Sequence, residues 1–237
     1  MEDFIPIEEK INNMMSEASH FLGIHNGIKA VTILMEAHKL METTTVRWQM
    51  KTTLYQMLGD AQYQAGAYDD AIVSYVQAFE CDEDDNGKAA AANIVASQCL
   101  NKGDENQALI YADKALETAT APEIKSQSYQ IKGGITAQHG NYQDGIKLMN
   151  RAAELAEEVQ SYSELAMIIM DMAGIFMTMG RPETALSEIF RAERYAKETR
   201  NLNLYMRCAI RKAKILYKMG KDDEAKALIL ALDEQKS

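Results

Sequence analysis

The chain is poor in the residues that stop helices and in those that staple small folds. Only three of its 237 residues are proline, and Pro6, Pro122 and Pro182 each stand just before or at the start of an apolar-periodic run, where a helix tolerates proline. The runs between them are rich in helix formers, so the chain reads as nearly all α. Three cysteines, Cys81, Cys99 and Cys208, lie far apart and form no C-x-x-C pair, which excludes a disulfide framework and fits a reducing, cytoplasmic setting. The longest apolar run is only a few residues, too short for a membrane span, and the start, MEDFIPIEEKINNMM, lacks a signal-peptide layout. Positive charge is also lacking. Lysine and arginine number 25 against 35 acidic residues, a net charge of −10, so neither nucleic acid nor an anionic membrane is expected as a global partner.

Chemical motifs are equally sparse. There is no P-loop, no G-x-S-x-G and no H-E-x-x-H, and the four histidines, His20, His25, His38 and His139, do not pair with cysteine at ligand spacing. No nucleophile stands beside a plausible base. An enzyme, a cofactor and a bound metal are therefore not expected. One stretch tests this. In ECDEDDNGKAAAAN, Asp82, Asp84, Asn86 and Gly87 fall in the order D-x-D-x-N-G that opens an EF-hand calcium loop. The twelfth position, which needs a bidentate glutamate, is Asn93. An acidic turn between two helices is the favoured reading, and a weak ion site the alternative.

What the chain does hold is a repeat. Five segments place a small residue five positions after a glycine: GAYDDA at 66–71, GDENQA at 103–108, GNYQDG at 140–145, GRPETA at 180–185 and GKDDEA at 220–225. The glycines step by 37, 37, 40 and 40 residues. Seven positions before them stand Gly59, Ala96, Gly133, Ala173 and Ala213, and seven after the small residues stand Ala78, Ala115, Ala152 and Ala192. A glycine at this point ends one helix in the left-handed conformation, and the small residues allow two antiparallel helices to approach closely.

Residues 52–80, TTLYQMLGDAQYQAGAYDDAIVSYVQAFE, resemble the tetratricopeptide repeat. Tyr55, Leu58, Gly59, Tyr68, Ala71, Tyr75 and Ala78 match its signature positions, while Gln62 replaces a usual aromatic and Glu83 a usual proline. Extending the period backwards gives a degenerate first copy at 7–41, with His25 in place of the turn glycine. The resemblance implies an all-α, right-handed α-solenoid of about six helix-turn-helix repeats. The expected pairs are 7–22/27–41, 48–65/68–81, 88–102/105–118, 123–139/142–158, 163–179/182–198 and 203–219/222–234. No Gly/Ser linker divides them, so 1–237 reads as a single domain. Ser161 and Glu164 have the spacing of a capping box.

In such a solenoid the first helix of each pair lines a concave groove. Carrying the family register over implies that Gln56, Asp60 and Tyr63 face inward, followed by Asn93 and Ser97, then Gln127, Gln130 and Gln138. Gly134 leaves space beside them. Met167, Met170, Asp171, Gly174 and Met177 follow, then Arg207, Arg211, Lys214 and Lys218. The last four share one helix face. Amides can bind a peptide backbone, methionines adapt to apolar partners, and the basic row suits an acidic partner. The family's two-carboxylate clamp is not expected, because its positions hold Gln56, Asp60 and Ile94 with no basic residue.

The expected function is a non-catalytic protein–protein interaction module: an adaptor, scaffold or assembly chaperone that takes a partner's peptide or helix. A peptide-sensing regulatory protein is the alternative, with an ion-binding protein or an enzyme behind both. In the final helix, Leu228, Ile229, Leu230, Ala231 and Leu232 follow one another. They either face another chain, as in a homo-oligomer, or fold back on the preceding pairs.

Overall fold

The same spacing that ends each apolar run at a glycine sets the helix ends in the computed structural model, which describes residues 6–234. Twelve helices and no strand occur among the described residues: α1 (Ile7–Gly23), α2 (Gly27–Glu42), α3 (Trp48–Gln64), α4 (Tyr68–Cys81), α5 (Asp85–Lys102), α6 (Glu105–Thr118), α7 (Pro122–Gln138), α8 (Tyr142–Glu158), α9 (Tyr162–Thr178), α10 (Pro182–Glu198), α11 (Leu202–Lys218) and α12 (Asp222–Glu234). They form two units, 1–120 with α1–α6 and 121–237 with α7–α12. Each unit holds three helix-turn-helix pairs, and within a unit each helix packs mainly on its neighbours in sequence, most closely on the other member of its pair. This is the expected all-α solenoid class. Eleven of the twelve helices agree with the expected bounds within one residue at either end.

The turn chemistry follows the sequence closely. Gly66, Gly103, Gly140, Gly180 and Gly220 all have φ between +71° and +85°, a conformation that L side chains adopt at a cost. His25 takes the same role at φ +56°, as do Gln160 and Arg200 between successive pairs. Asn26, Asp104 and Asn201 cap their helices through side-chain oxygens, and Pro122 and Pro182 occupy first helical positions.

Small residues bring the paired helices together. A Cβ on Gly145 would meet the Gly133 carbonyl oxygen at 2.8 Å, and one on Gly133 would meet the Gly145 oxygen at 3.0 Å. On α3 and α4, Gly59 leaves room for the Tyr75 ring, whose hydroxyl donates to Asp60 Oδ1 at 2.6 Å. Burial and the Asp60 carboxylate push the Tyr75 phenol far above its ordinary value, so it stays protonated. Around these contacts Ile11, Leu34 and Leu54 fill the first unit, and Ile135, Met149, Ile168 and Ile189 fill the second.

Two local expectations change. The helix after the acidic stretch begins at Asp85, three residues before the expected 88. Asp84 is its N-cap and accepts from the Gly87 amide at 2.7 Å, while buried Asp82 accepts from the Asp84 amide at 2.9 Å. A Cβ on Gly87 would strike Asp82 Oδ2 at 2.5 Å. The calcium-like residues thus build a helix start, with their oxygens turned to backbone amides. The second change concerns Ser161, which precedes α9 but makes no capping hydrogen bond through its side chain. Glu164 turns into the core instead, and its Oε1 is buried without a hydrogen-bond partner. Burial raises its carboxyl pKa, and the Ser126 and Ser161 hydroxyls pull the other way.

Two predictions follow from these caps and cores. Asp84→Ala removes an N-cap and should cost about 1 kcal/mol in urea unfolding, equally with and without calcium. A loss seen only with calcium would contradict the capping role. Glu164 is expected to bind its proton more tightly folded than unfolded. Its stabilising contribution is complete below the ordinary carboxylate pKa and is lost as pH rises through the raised value. Glu164→Gln should therefore raise Tm at pH 7 and leave it nearly unchanged near pH 3, as read by thermal melts.

Candidate functional site: a cationic cleft between α9 and α11

The second unit gathers three of the expected groove residues into one network. Asp171 on α9 accepts from Gln130 Nε2 on α7 at 2.8 Å and from Arg211 Nη2 on α11 at 3.3 Å. Arg211 Nη1 also donates to the Met170 carbonyl at 3.1 Å. A Cβ on Gly174 would approach that guanidinium nitrogen to 3.3 Å, so glycine gives Arg211 its seat. Asp171 and Arg211 are both substantially exposed, and the pair acts chiefly to orient the guanidinium rather than to stabilise the fold.

Beside this network lies a cleft of about 760 Å³. Its apolar wall is Ala173, Met177, Ile215 and Tyr217, and its cations are Arg211, Lys214 and Lys218. Lys214 and Lys218 are exposed and make no ion pair among the described residues. Met167 also belongs to this region, with Arg207 Nη1 3.8 Å from its sulfur. The charge context is one-sided. Residues 121–237 carry 17 basic and 16 acidic side chains, against 8 and 19 in residues 1–120. An anion entering the cleft therefore meets cations in the less acidic half of the sequence.

Two expected groove residues lie elsewhere. Met170 is only 1% exposed, with its sulfur 3.4 Å from Cys208 Sγ, because its position on α9 points at α11. Asn93 is 3% exposed on α5, a helix whose alanines pack on both sides. Burial also pushes the Cys208 thiol up to about 11 and raises Cys81 and Cys99, so all three stay uncharged thiols at neutral pH.

In the first unit the expected residues do different work. Asp60 is engaged by Tyr75, while Gln56 and Ser97 are half-buried. Tyr63 is exposed and stacks edge-on against Tyr68 at 5.3 Å. Together with Ile72, Gln98, Asn101 and Lys102 they line a cleft of about 270 Å³, and Lys102 also pairs with Asp69. Gln127 and Gln138 are exposed on α7. The sequence reading missed Tyr217, although its place between Lys214 and Lys218 on an exposed helix face was a usable signal. Tyr68 and Gln98 lie just outside the inward register and gave no such signal. Among the described residues no group of three or more His, Cys, Asp or Glu is placed to hold a metal, and no helix is long and apolar enough to cross a membrane.

Comparison with known proteins identifies one repeat and the fold. Residues 52–85 match the tetratricopeptide repeat model. No curated relative matches the chain by sequence. Among solved structures, aspartyl phosphate phosphatase F from Bacillus subtilis is similar at TM-score 0.75 and 14% identity, over 98% of this chain and 71% of that one. A Rap protein solved in complex with Competence and Sporulation Factor is similar at 0.70 and 16%, over 97% and 76%. A thermophilic tetratricopeptide-repeat protein of Thermus thermophilus is similar at 0.59 and 16%, over 85% and 98%. Identities this low speak for fold alone. Residues 52–85 are a tetratricopeptide repeat, and the helix pairs of both units take the fold of tetratricopeptide-repeat proteins.

Proposed function

We propose that this chain is a non-catalytic interaction module that binds an acidic, extended peptide of a partner protein in the α9–α11 cleft. One observation carries this reading: an apolar wall with an exposed tyrosine, bordered by two lysines without ion pairs among the described residues and an arginine already oriented by Asp171. Apolar walls give contact area, and fixed cations select charge. The repeat register passes from Gly103 to Gly140 with its 37-residue step intact, so we treat 1–237 as one domain. An adaptor, scaffold or assembly chaperone in the cytoplasm fits such a module. Of the expected groove set, Met177, Arg211, Lys214 and Lys218 are the contacts proposed here, with Gln130 and Asp171 as positioning residues.

A second reading has its own support. A similar fold occurs in a Rap protein solved with Competence and Sporulation Factor bound. The same cleft would then serve a peptide-sensing regulatory protein, in which ligand binding shifts a conformational equilibrium.

The first reading is tested with fluorescent peptides of equal length, proline-interrupted so that they stay extended, in acidic, neutral and basic versions. The acidic peptide should bind best and weaken steeply with salt. Lys214→Glu with Lys218→Glu should weaken it by about tenfold or more, and Met177→Asp should weaken it too. Equal binding of the three peptides, or no response to these variants, would sink the cleft assignment. A ligand-dependent change in solution scattering would favour the sensor.

A further inference from the structure

The turn between α3 and α4 carries a pair of aromatic rings that the four later glycine turns do not repeat. Tyr63 stands in the last turn of α3, Tyr68 opens α4, and Gly66 at φ +81° bends the backbone between them. The rings meet edge to face at 5.3 Å and are 41% and 57% exposed. The same two places at the later turns hold Leu100 with Glu105, Ala137 with Tyr142, Met177 with Pro182 and Tyr217 with Asp222. Tyr142, the counterpart of Tyr68, is half-buried against the core of its unit. The repeat therefore closes such a turn without an exposed aromatic pair. Nor is the cleft beside it a place awaiting a further helix. Within the first unit α3, α4 and α5 each already pack on a neighbour to either side.

Around the rings stand polar groups without partners. Gln98 and Asn101 share one face at the end of α5 and line the same cleft, of about 270 Å³. Neither their amides nor the two phenol hydroxyls make a hydrogen bond among the described residues. A helix would not use these donors, because its own carbonyls are bonded within it. An added strand needs an open sheet edge, which a helical surface does not offer. A polyproline II segment meets both features: its carbonyls are free to accept, and its pyrrolidine rings pack flat on aromatic faces. Charge narrows the occupant further. Beyond Tyr68 a second hollow, of about 470 Å³, is lined by Asp69, Asp70 and Lys102. Lys102 pairs with Asp69, which leaves the exposed Asp70 without an ion pair among the described residues. Residues 1–120 carry 19 acidic side chains against 8 basic ones, so the wider field has the same sign. We propose that the Tyr63–Tyr68 cleft docks a proline-rich, basic segment of a partner protein. Its pyrrolidine rings lie on the tyrosines, its carbonyls accept from the Gln98 and Asn101 amides, and a lysine or arginine sits beside Asp70. This site is separate from the α9–α11 cleft and takes a ligand of opposite charge.

The test uses the full chain and short fluorescent peptides of equal length. One has consecutive prolines and a single arginine, the second has alanine in place of every proline, and the third has glutamate in place of the arginine. Fluorescence anisotropy should show saturable binding of the first, weaker by about tenfold or more for the second and by about fivefold for the third. Tyr63→Ala and Tyr68→Ala should each weaken the first peptide by about tenfold while Tm stays within a few degrees, since both rings are exposed. Asp70→Asn should bring the arginine and glutamate peptides close to equal affinity. Lys214→Glu with Lys218→Glu, in the other cleft, should leave this binding unchanged, so the two sites fail or stand separately. No saturable binding of the first peptide, equal affinity for the proline and alanine forms, or binding indifferent to both tyrosines overturns the proposal. So does tighter binding of the alanine form, because the occupant would then be a helix.

Discussion

The close approach of one helix to its neighbour, permitted by residues with almost no side chain, is the constraint on which the rest of the molecule depends. Gly133 and Gly145 touch backbone to backbone, and Gly59 admits the ring of Tyr75. Where helices sit this near, the residues one turn away have fixed neighbours and little freedom to rearrange. That rigidity is what allows Gln130, Asp171 and Arg211, separated by about forty residues each in sequence, to meet within hydrogen-bonding range. A looser pair would leave the guanidinium unoriented. The cleft chemistry is therefore a consequence of packing many residues away from it.

Charge is distributed to match. The acidic excess lies in residues 1–120, and Arg207, Arg211, Lys214 and Lys218, four of the five cations of α11, fall on one stripe. Among the described residues only one of them, Arg211, is tied to a carboxylate. In the binding proposed above, such a stripe would act over about a Debye length, roughly 8 Å at physiological salt, before any contact forms. The apolar wall of Ala173, Met177 and Ile215 would then set how long an encounter persists.

Much of the fold was legible in the sequence, because it is written several times over. A glycine every 37 to 40 residues, with small residues seven positions to either side, marks the helix ends repeatedly. The misjudged start of α5 had a local cause. Asp84 can cap a helix through its side chain, and the run DDNG was read for its carboxylates rather than for that cap. The capping box failed for a tertiary reason: Glu164 found a buried position facing Ser126. The groove was harder to read. Met167, Met170 and Met177 share a helix and a chemistry, and only the position of Cys208 on α11 separates the buried one from the others. Register within a helix is visible in sequence, but the angle at which the next helix crosses it is not.

The nearest-neighbour packing of the twelve helices has a consequence for how the chain is made. Within each unit, a helix touches almost nothing beyond the next one or two in sequence. Folding that relies on short-range contacts is fast, and it can proceed in the order in which the ribosome releases the polymer. Gly133 can seat against Gly145 without any contact from residues beyond α8. The apolar surface awaiting cover during translation is then about one helix wide at any moment.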